Sequence, residues 1–143
     1  MSDHWVSGMF ACRLPLILLM ICSVGTVAAE ERVIFSRDIR PILSDKCFHC
    51  HGPDETARQA QLRFDLVNDL ESPFRDRDGS TAIKPKDLEE SAIWYRLTTD
   101  DTDQRMPPAH SHKKPMTEAQ RDLIRRWILQ GAEYEEFWAF VSP

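Results

Sequence analysis

The sequence of 143 residues has few cysteines, few glycines and no excess of basic charge. Its 18 Lys and Arg residues against 23 Asp and Glu residues give a formal net charge of -5, whereas a nucleic-acid-binding protein normally carries a basic excess. Four cysteines are too few for a disulfide-rich scaffold, and five glycines against nine prolines indicate stiff loops between short elements. We find no internal repeat, phosphate-binding loop, catalytic triad or acid/base carboxylate pair, so no pattern predicts an enzyme. What is present, 42% hydrophobic and 29% charged residues, is the composition of one ordinary domain.

An apolar run, Leu14–Ala29, lies near the N-terminus. Arg13 precedes it and two small residues, Ala28 and Ala29, end it, which is typical of a secretory signal with its cleavage site. The run is shorter than the ~20 residues that span a bilayer comfortably. We therefore interpret residues 1–29 as a signal peptide, with an uncleaved membrane anchor as the alternative. Cleavage before Glu30 would leave an exported, periplasmic or otherwise extracytoplasmic protein that meets the membrane only through this segment.

The two cysteines that remain after cleavage form a specific motif. Cys47-Phe48-His49-Cys50-His51 is a C-x-x-C-H sequence, the attachment motif of c-type haem. Two thiols about one helical turn apart can both reach the vinyl groups on one edge of a porphyrin. His51 then places its imidazole beneath the iron as the proximal ligand. The motif therefore predicts covalent haem c at Cys47 and Cys50, with iron bound by His51.

Three alternatives apply to the same cysteine pair. A small-loop disulfide is possible in an oxidising compartment. A thioredoxin-like redox pair needs a βαβ pattern around it, which we do not recognise in this sequence. A zinc site needs further ligands, for which His49, His110 and His112 are the candidates. Haem attachment is favoured because the motif and the signal peptide indicate the same compartment independently.

The sixth iron position has four candidates, or it is open. Met106 is favoured because the two prolines after it restrict the backbone and hold the thioether in place. Met116 immediately precedes a predicted helix and is better explained as core filler. His110 and His112 lie in a polar, lysine-containing stretch that is typical of a solvated surface.

The spacing of apolar residues predicts three helices, over residues 38–47, 87–97 and 117–130. Asp38, Asp87 and Thr117 are their predicted N-caps, Pro41 falls in the first turn of the first helix, and Gly131 ends the last one. The apolar face of the last helix consists of Ala119, Leu123, Ile124, Trp127 and Ile128.

Two other stretches have different patterns. Gln61–Leu66 alternates strictly between polar and apolar residues, which predicts a short strand or extended arm. Residues 71–86 are rich in Asp, Arg, Ser, Gly and Pro, and we interpret them as a loop.

Taken in order, several motifs resemble the planctomycete cytochrome c domain family over about residues 33–134. They are Asp38-Ile39-Arg40-Pro41-Ile42-Leu43, then Cys47–His51 with Gly52, Leu62-Arg63-Phe64-Asp65, Arg105-Met106-Pro107-Pro108, and Thr117 with Arg126-Trp127-Ile128 and Gly131-Ala132. The resemblance implies an all-α, class I-like cytochrome fold, with about three main helices around one covalently bound haem and a short extended arm. It also implies Cys47 and Cys50 as attachment sites, His51 as the proximal ligand and Met106 as the distal ligand.

The expected organisation is a signal peptide over 1–29, a c-type cytochrome domain over 30–134 and an aromatic tail over 135–143. The tail resembles the point where longer relatives enter a further domain, so an N-terminal fragment of a larger exported protein is one alternative. The function we predict is single-electron transfer with one haem per chain and an exported redox partner protein. A haem-bearing sensing or ligand-binding module is the other alternative.

Overall fold

The structure is a computed structural model that describes residues 30–135. The predicted signal peptide and the tail from residue 136 onward therefore lie outside the described residues. Within residues 30–135 no helix is long and apolar enough to span a bilayer. In chain order the elements are a π-helical turn (Phe35–Ile39), α1 (Arg40–Lys46), α2 (Phe48–His51), β1 (Asp76–Arg77), β2 (Ser80–Thr81), α3 (Ala92–Thr98), a 3-10 turn (Ala109–Ser111) and α4 (Glu118–Leu129).

The expected all-α class is wrong. The described residues form four short α-helices together with a two-stranded antiparallel sheet. In this part of the chain only α4, with 12 residues, is longer than seven residues. An arrangement of about three main helices wrapped around a haem is therefore wrong as well, because irregular segments make up much of the chain between the helices.

The sheet is a hairpin inside the stretch that we interpreted as loop. Asp76 pairs with Thr81 and Arg77 with Ser80. Between the strands Asp78 and Gly79 both have positive φ, 55° and 83°. This is the requirement of a type I′ turn, for which Asp-Gly is a preferred pair. The polar composition of this stretch thus reflects an exposed hairpin rather than an irregular loop.

The predicted strand over Gln61–Leu66 is also wrong, since the structure has no strand in these described residues. Ala60 and Gln61 both have positive φ, 57° and 47°, which turns the chain. Leu62 then donates its N–H to the carbonyl of Gln59, and the following two N–H groups have separate acceptors. Arg63 donates to the carbonyl of Glu71 and Phe64 to that of His51. The alternation reflects the burial of Phe64 and the partial burial of its apolar neighbours, without a strand partner.

The first predicted helix is present, but it is divided into the π-helical turn and α1. Its apolar residues Ile39, Ile42 and Leu43 are buried, and Pro41 lies in the first turn of α1 as expected. Asp38 is not the cap of α1. Its carboxylate instead accepts a hydrogen bond from the N–H of Ile34 at 2.9 Å and stabilises the π-helical turn from within.

The second helix begins later than predicted. Asp87 does accept from the N–H groups of Glu89 and Glu90, at 3.0 and 3.1 Å, but these bonds close a turn rather than a helix. Helix α3 begins after Ser91, whose buried hydroxyl bonds the backbone of Lys84. The turn at Asp87 positions Ser91, and the helix follows from there.

Helix α4 confirms its prediction at both ends. Thr117 and Gln120 form a reciprocal capping box, at 3.2 and 3.0 Å. At the other end Gly131 has φ of 115°, and Ala132 donates to the carbonyl of Trp127, which is a Schellman motif. Of the five residues on the predicted apolar face, the structure buries Ile124, Trp127 and Ile128, packs Leu123 partly against the core and leaves Ala119 exposed.

The core lies between α4 and the N-terminal turn. Trp127 is 1% exposed, and its ring lies 5.7 Å from that of Phe35 and 5.3 Å from that of Tyr134. The first and last described segments are also tied together, because Val33 donates its N–H to the side chain of Gln130 at 2.8 Å. The other buried apolar residues of this core are Val33, Ile39, Ile42, Leu43, Phe64, Ile83, Ile93, Leu97, Met116, Ile124, Ile128 and Ala132.

Candidate functional site

The C-x-x-C-H motif lies at the junction of α1 and α2. Cys47 ends α1 and precedes α2, which is a single turn. The carbonyl of Cys47 accepts from the N–H of Cys50 at 3.1 Å and from that of His51 at 2.8 Å. Residues three and four apart in a helical turn share one face. The two cysteines and the histidine are therefore presented on the same side of this turn.

Cys47 and Cys50 are not joined by a disulfide in this structure. Cys47 is partly buried against the core, and this burial raises the pKa of its thiol to about 12. At neutral pH Cys47 is therefore protonated in this fold. His49, between the two cysteines, is exposed, as expected for the variable position of the motif.

The imidazole of His51 is oriented by a backbone carbonyl. Its Nδ1 lies 3.2 Å from the carbonyl oxygen of Gln59. Because that oxygen can only accept, Nδ1 carries the proton and Nε2 is left as the lone-pair donor. Metal-binding histidines commonly donate their second ring nitrogen in this way. The site thus holds the tautomer in which Nε2 can bind iron.

The protonation state agrees with this geometry. Burial lowers the pKa of His51, and the charge of Arg96 lowers it further, although the bond to Gln59 opposes the shift. A neutral imidazole is the form that binds a metal.

The turn is also fixed by its backbone. Gln59 donates its N–H to the carbonyl of Cys50 at 2.7 Å, and Phe64 donates to that of His51 at 2.9 Å. The ring of Phe64 meets the His51 ring edge-on, with centroids 5.8 Å apart. His51 is therefore held by a carbonyl on one ring atom and by a buried aromatic side chain.

Gly52 permits the tight approach after the motif. A Cβ added here would lie 2.3 Å from the carbonyl oxygen of Phe48. Its φ of -137° is ordinary extended backbone, so the requirement for glycine is one of space alone.

Met106 lies on the loop after α3 and is partly buried. Its N–H donates to the carbonyl of Arg96 at 2.8 Å, and the Arg96 guanidinium donates to the carbonyl of Gln104 at 3.3 Å. The peptide bond between Met106 and Pro107 is cis. Arg96 of α3 therefore holds the methionine loop through both its backbone and its side chain.

The other candidates for the sixth position occupy different environments. Met116 is 6% exposed and belongs to the core. His110 and His112 are exposed, within and directly after the 3-10 turn. In the described part of the chain, no three His, Cys, Asp or Glu side chains lie close enough together to hold a metal ion, so the zinc alternative has no ligand set there.

Comparison with known proteins found a family match over part of the chain. The model of the planctomycete cytochrome C family matches residues 47–110, from the first motif cysteine to the 3-10 turn. Over these residues, less than half of the chain, the protein is similar to the planctomycete cytochrome C family. This confirms the resemblance seen in the sequence, over a shorter range than residues 33–134. A search of the curated proteins found no match to the chain, and a search of the solved structures found none either.

The donor set fits the haem that a cytochrome C domain implies. Two thiols stand one helical turn apart, and the adjacent imidazole is neutral with its Nε2 free to coordinate. Cys47 and Cys50 would carry the porphyrin and His51 would bind its iron. The matched range also contains Met106.

Sequence reasoning missed three contributors to this site. The Gln59 carbonyl is a backbone group and has no residue signature. Arg58 and Arg96 resemble ordinary surface cations in the sequence, and only the fold brings their guanidinium groups onto the carbonyls of the motif loop and the methionine loop.

Proposed function

We propose that this chain is an exported monohaem c-type cytochrome domain that transfers single electrons, with His51 and Met106 as the axial iron ligands. The observation that carries the proposal is the bond from His51 Nδ1 to the Gln59 carbonyl, which leaves Nε2 free for iron. The haem supplies the one-electron chemistry of its iron when bound, and the chain supplies ligands and orientation.

Met106 is proposed as the distal ligand on two grounds. Its loop is held by Arg96, which bonds the Met106 N–H through its carbonyl and the Gln104 carbonyl through its side chain. The competing Met116 is committed to the core, and the two downstream histidines face solvent. A thioether is a soft ligand that favours ferrous iron, so a His/Met pair raises the reduction potential and suits an electron carrier.

Export is part of the proposal. The apolar run ending at Ala29 supports a signal peptide, and the C-x-x-C-H motif supports an extracytoplasmic site of haem attachment. The partner is then another exported redox protein. N-terminal sequencing of the exported form should begin at Glu30, whereas a chain that retains Met1 would indicate an uncleaved anchor.

The haem itself is tested by attachment. The full-length chain, expressed with a cytochrome c maturation system and then denatured, should keep its Soret band and gain the mass of one haem. A Cys47→Ser/Cys50→Ser double variant should retain no covalent haem. Release of the haem from the denatured wild type would refute covalent attachment.

The sixth ligand is tested with two matched substitutions. Met106→Leu and Met116→Leu each remove one sulfur atom and conserve side-chain volume. Only Met106→Leu should abolish the ligand-to-iron band near the red end of the ferric spectrum, lower the reduction potential and admit cyanide or carbon monoxide. If the spectrum changes instead in His110→Ala or His112→Ala, the domain is a bis-histidine protein. If none of these four substitutions changes the spectrum, the sixth site is open and the domain is a ligand-binding module.

A further inference from the structure

Arg58 lies beside the candidate haem site without touching its ligands. Its guanidinium donates to three acceptors: the carbonyl of Gly52 at 3.1 Å, the carbonyl of Pro53 at 3.0 Å and the carboxylate of Glu71 at 2.8 Å. The Arg58 side chain is only 11% exposed and that of Glu71 26%. A planar guanidinium with three acceptors in fixed directions has little freedom left.

These bonds close one particular loop. The loop starts at Gly52, directly after His51, and ends at Gln59, whose N–H and carbonyl return to Cys50 and to His51 Nδ1. Arg58, the residue before Gln59, therefore ties the end of the loop to its beginning. The tie therefore lies directly beside the residue whose carbonyl contacts the His51 ring.

We propose that Arg58, held in place by Glu71, is a positioning residue that acts through the Gln59 carbonyl on the imidazole of His51 and so tunes the iron it binds. The inference rests on the proposed function for its redox consequence. A strong bond at Nδ1 makes the imidazole a better donor to the metal, and such outer contacts change metal affinity by roughly 10–100-fold. Better donation stabilises ferric iron, so Arg58 holds the reduction potential down.

The experiment uses the haem-loaded full chain and compares Arg58→Ala with Arg63→Ala. Arg63 is the matched control because it lies in the same region at similar burial, with the Arg63 and Asp65 side chains 20% and 19% exposed. Its guanidinium bonds the carboxylate of Asp65 rather than the loop from Gly52 to Gln59. Two readouts are measured, the reduction potential and the exchange rate of the His51 Nδ1 proton by NMR.

Arg58→Ala should speed exchange of that proton by about tenfold and shift the ferric-to-ferrous ratio toward ferrous by about tenfold, which is about 59 mV upward for one electron. Arg58→Lys should give an intermediate effect, because a lysine keeps the charge but cannot serve three directions at once. Arg63→Ala should change neither readout. If Arg58→Ala lowers only the free energy of unfolding, as Arg63→Ala does, the inference is wrong.

Two further measurements keep the test decisive. If Arg58→Ala does not fold, Glu71→Gln removes the charge of the partner while keeping its shape, and it should change both readouts in the same direction by less. If the wild type proves to carry no haem, the proposed function fails, but the Nδ1 exchange rate in the haem-free chain still tests Arg58. An unchanged exchange rate in both variants would overturn the positioning role.

Discussion

Helix α4 and the haem-motif segment, residues 47–64, are held in place in different ways. The backbone groups at each end of α4 are hydrogen-bonded by residues close in the sequence. Thr117 and Gln120 do so at the start, and Ala132 bonds Trp127 at the end. Within the motif segment, the residues Cys47–His51 instead depend on groups that lie several residues farther along the chain. His51 bonds to Gln59 through its ring and to Phe64 through its carbonyl. The helix is thus specified locally, whereas the candidate site exists only once the loops have closed.

This difference bears on the function of each region. A capped helix with one buried face provides a rigid platform, and most of the stability of such a helix comes from tertiary packing. A one-turn helix such as α2 has no stability of its own, so its geometry is determined by loop contacts. The motif can therefore be tuned by loop residues outside it, whereas the two ends of α4 are fixed by residues adjacent to them in the sequence.

The largest effect is expected from Trp127→Ala, which removes the side chain where α4 packs on Phe35 and Tyr134. Truncation of a fully buried Trp costs about 3–5 kcal/mol of unfolding free energy. Urea denaturation followed by circular dichroism measures the loss. Leu129→Ala is the control on the same helix, because Leu129 is 42% exposed and its truncation should cost under about 1 kcal/mol. Equal losses of unfolding free energy in the two variants would mean that α4 is not stabilised mainly through its buried face.

The next effect is expected from Gly52→Ala, which tests the motif side of the comparison. The new Cβ would meet the Phe48 carbonyl oxygen at 2.3 Å, and backbone must move to relieve that contact. We expect a loss of about 3 kcal/mol and a changed His51 environment by NMR.

The matched control for Gly52→Ala is Gly79→Ala. Gly79 has φ of 83° but nothing within 4 Å of an added Cβ, so only the strain of the left-handed backbone applies, about 1 kcal/mol. A smaller loss at Gly52 than at Gly79 would show that the turn after the motif tolerates a side chain.

The smallest effect is expected from Thr117→Ala, which removes one half of the capping box of α4. Loss of such a cap costs about 1 kcal/mol. Thermal unfolding measures it, with Thr102→Ala in an exposed turn as the control that should change nothing. The His51 spectrum should stay unchanged in both variants, and a shift in Thr117→Ala would mean that α4 and the motif are coupled more tightly than the comparison implies.

The sequence predicted those features whose cause is local. The Thr117 and Gln120 pair, the stop at Gly131 and the C-x-x-C-H motif each lie within a few residues, and each is present as expected. The Asp78-Gly79 turn was equally local, and it was missed because the polar composition of residues 71–86 was given more weight than that dipeptide.

The features that could not be predicted have distant causes. The alternation over 61–66 is typical of a strand, but the N–H groups of Arg63 and Phe64 find separate acceptors that only the tertiary fold supplies. The group of Gln59 that contacts His51 is a backbone carbonyl, which every residue type carries, so the sequence contains no signal for it. Arg58 is likewise informative only after the carbonyls it bonds have been brought together.

Hydrogen bonds hold the first and last described segments next to each other. Arg32 pairs with Glu133 at 2.5 Å and Val33 with the side chain of Gln130 at 2.8 Å, about a hundred residues apart. Domains whose ends lie close together commonly keep their fold when the chain is joined at those ends and opened elsewhere. A short linker from residue 135 to residue 31 and a new opening at Leu70, which is 74% exposed, would give a circular permutant in which α4 comes before the motif. The direct bonds of His51 to Gln59 and Phe64 would be retained in such a chain, although α4 would precede the motif.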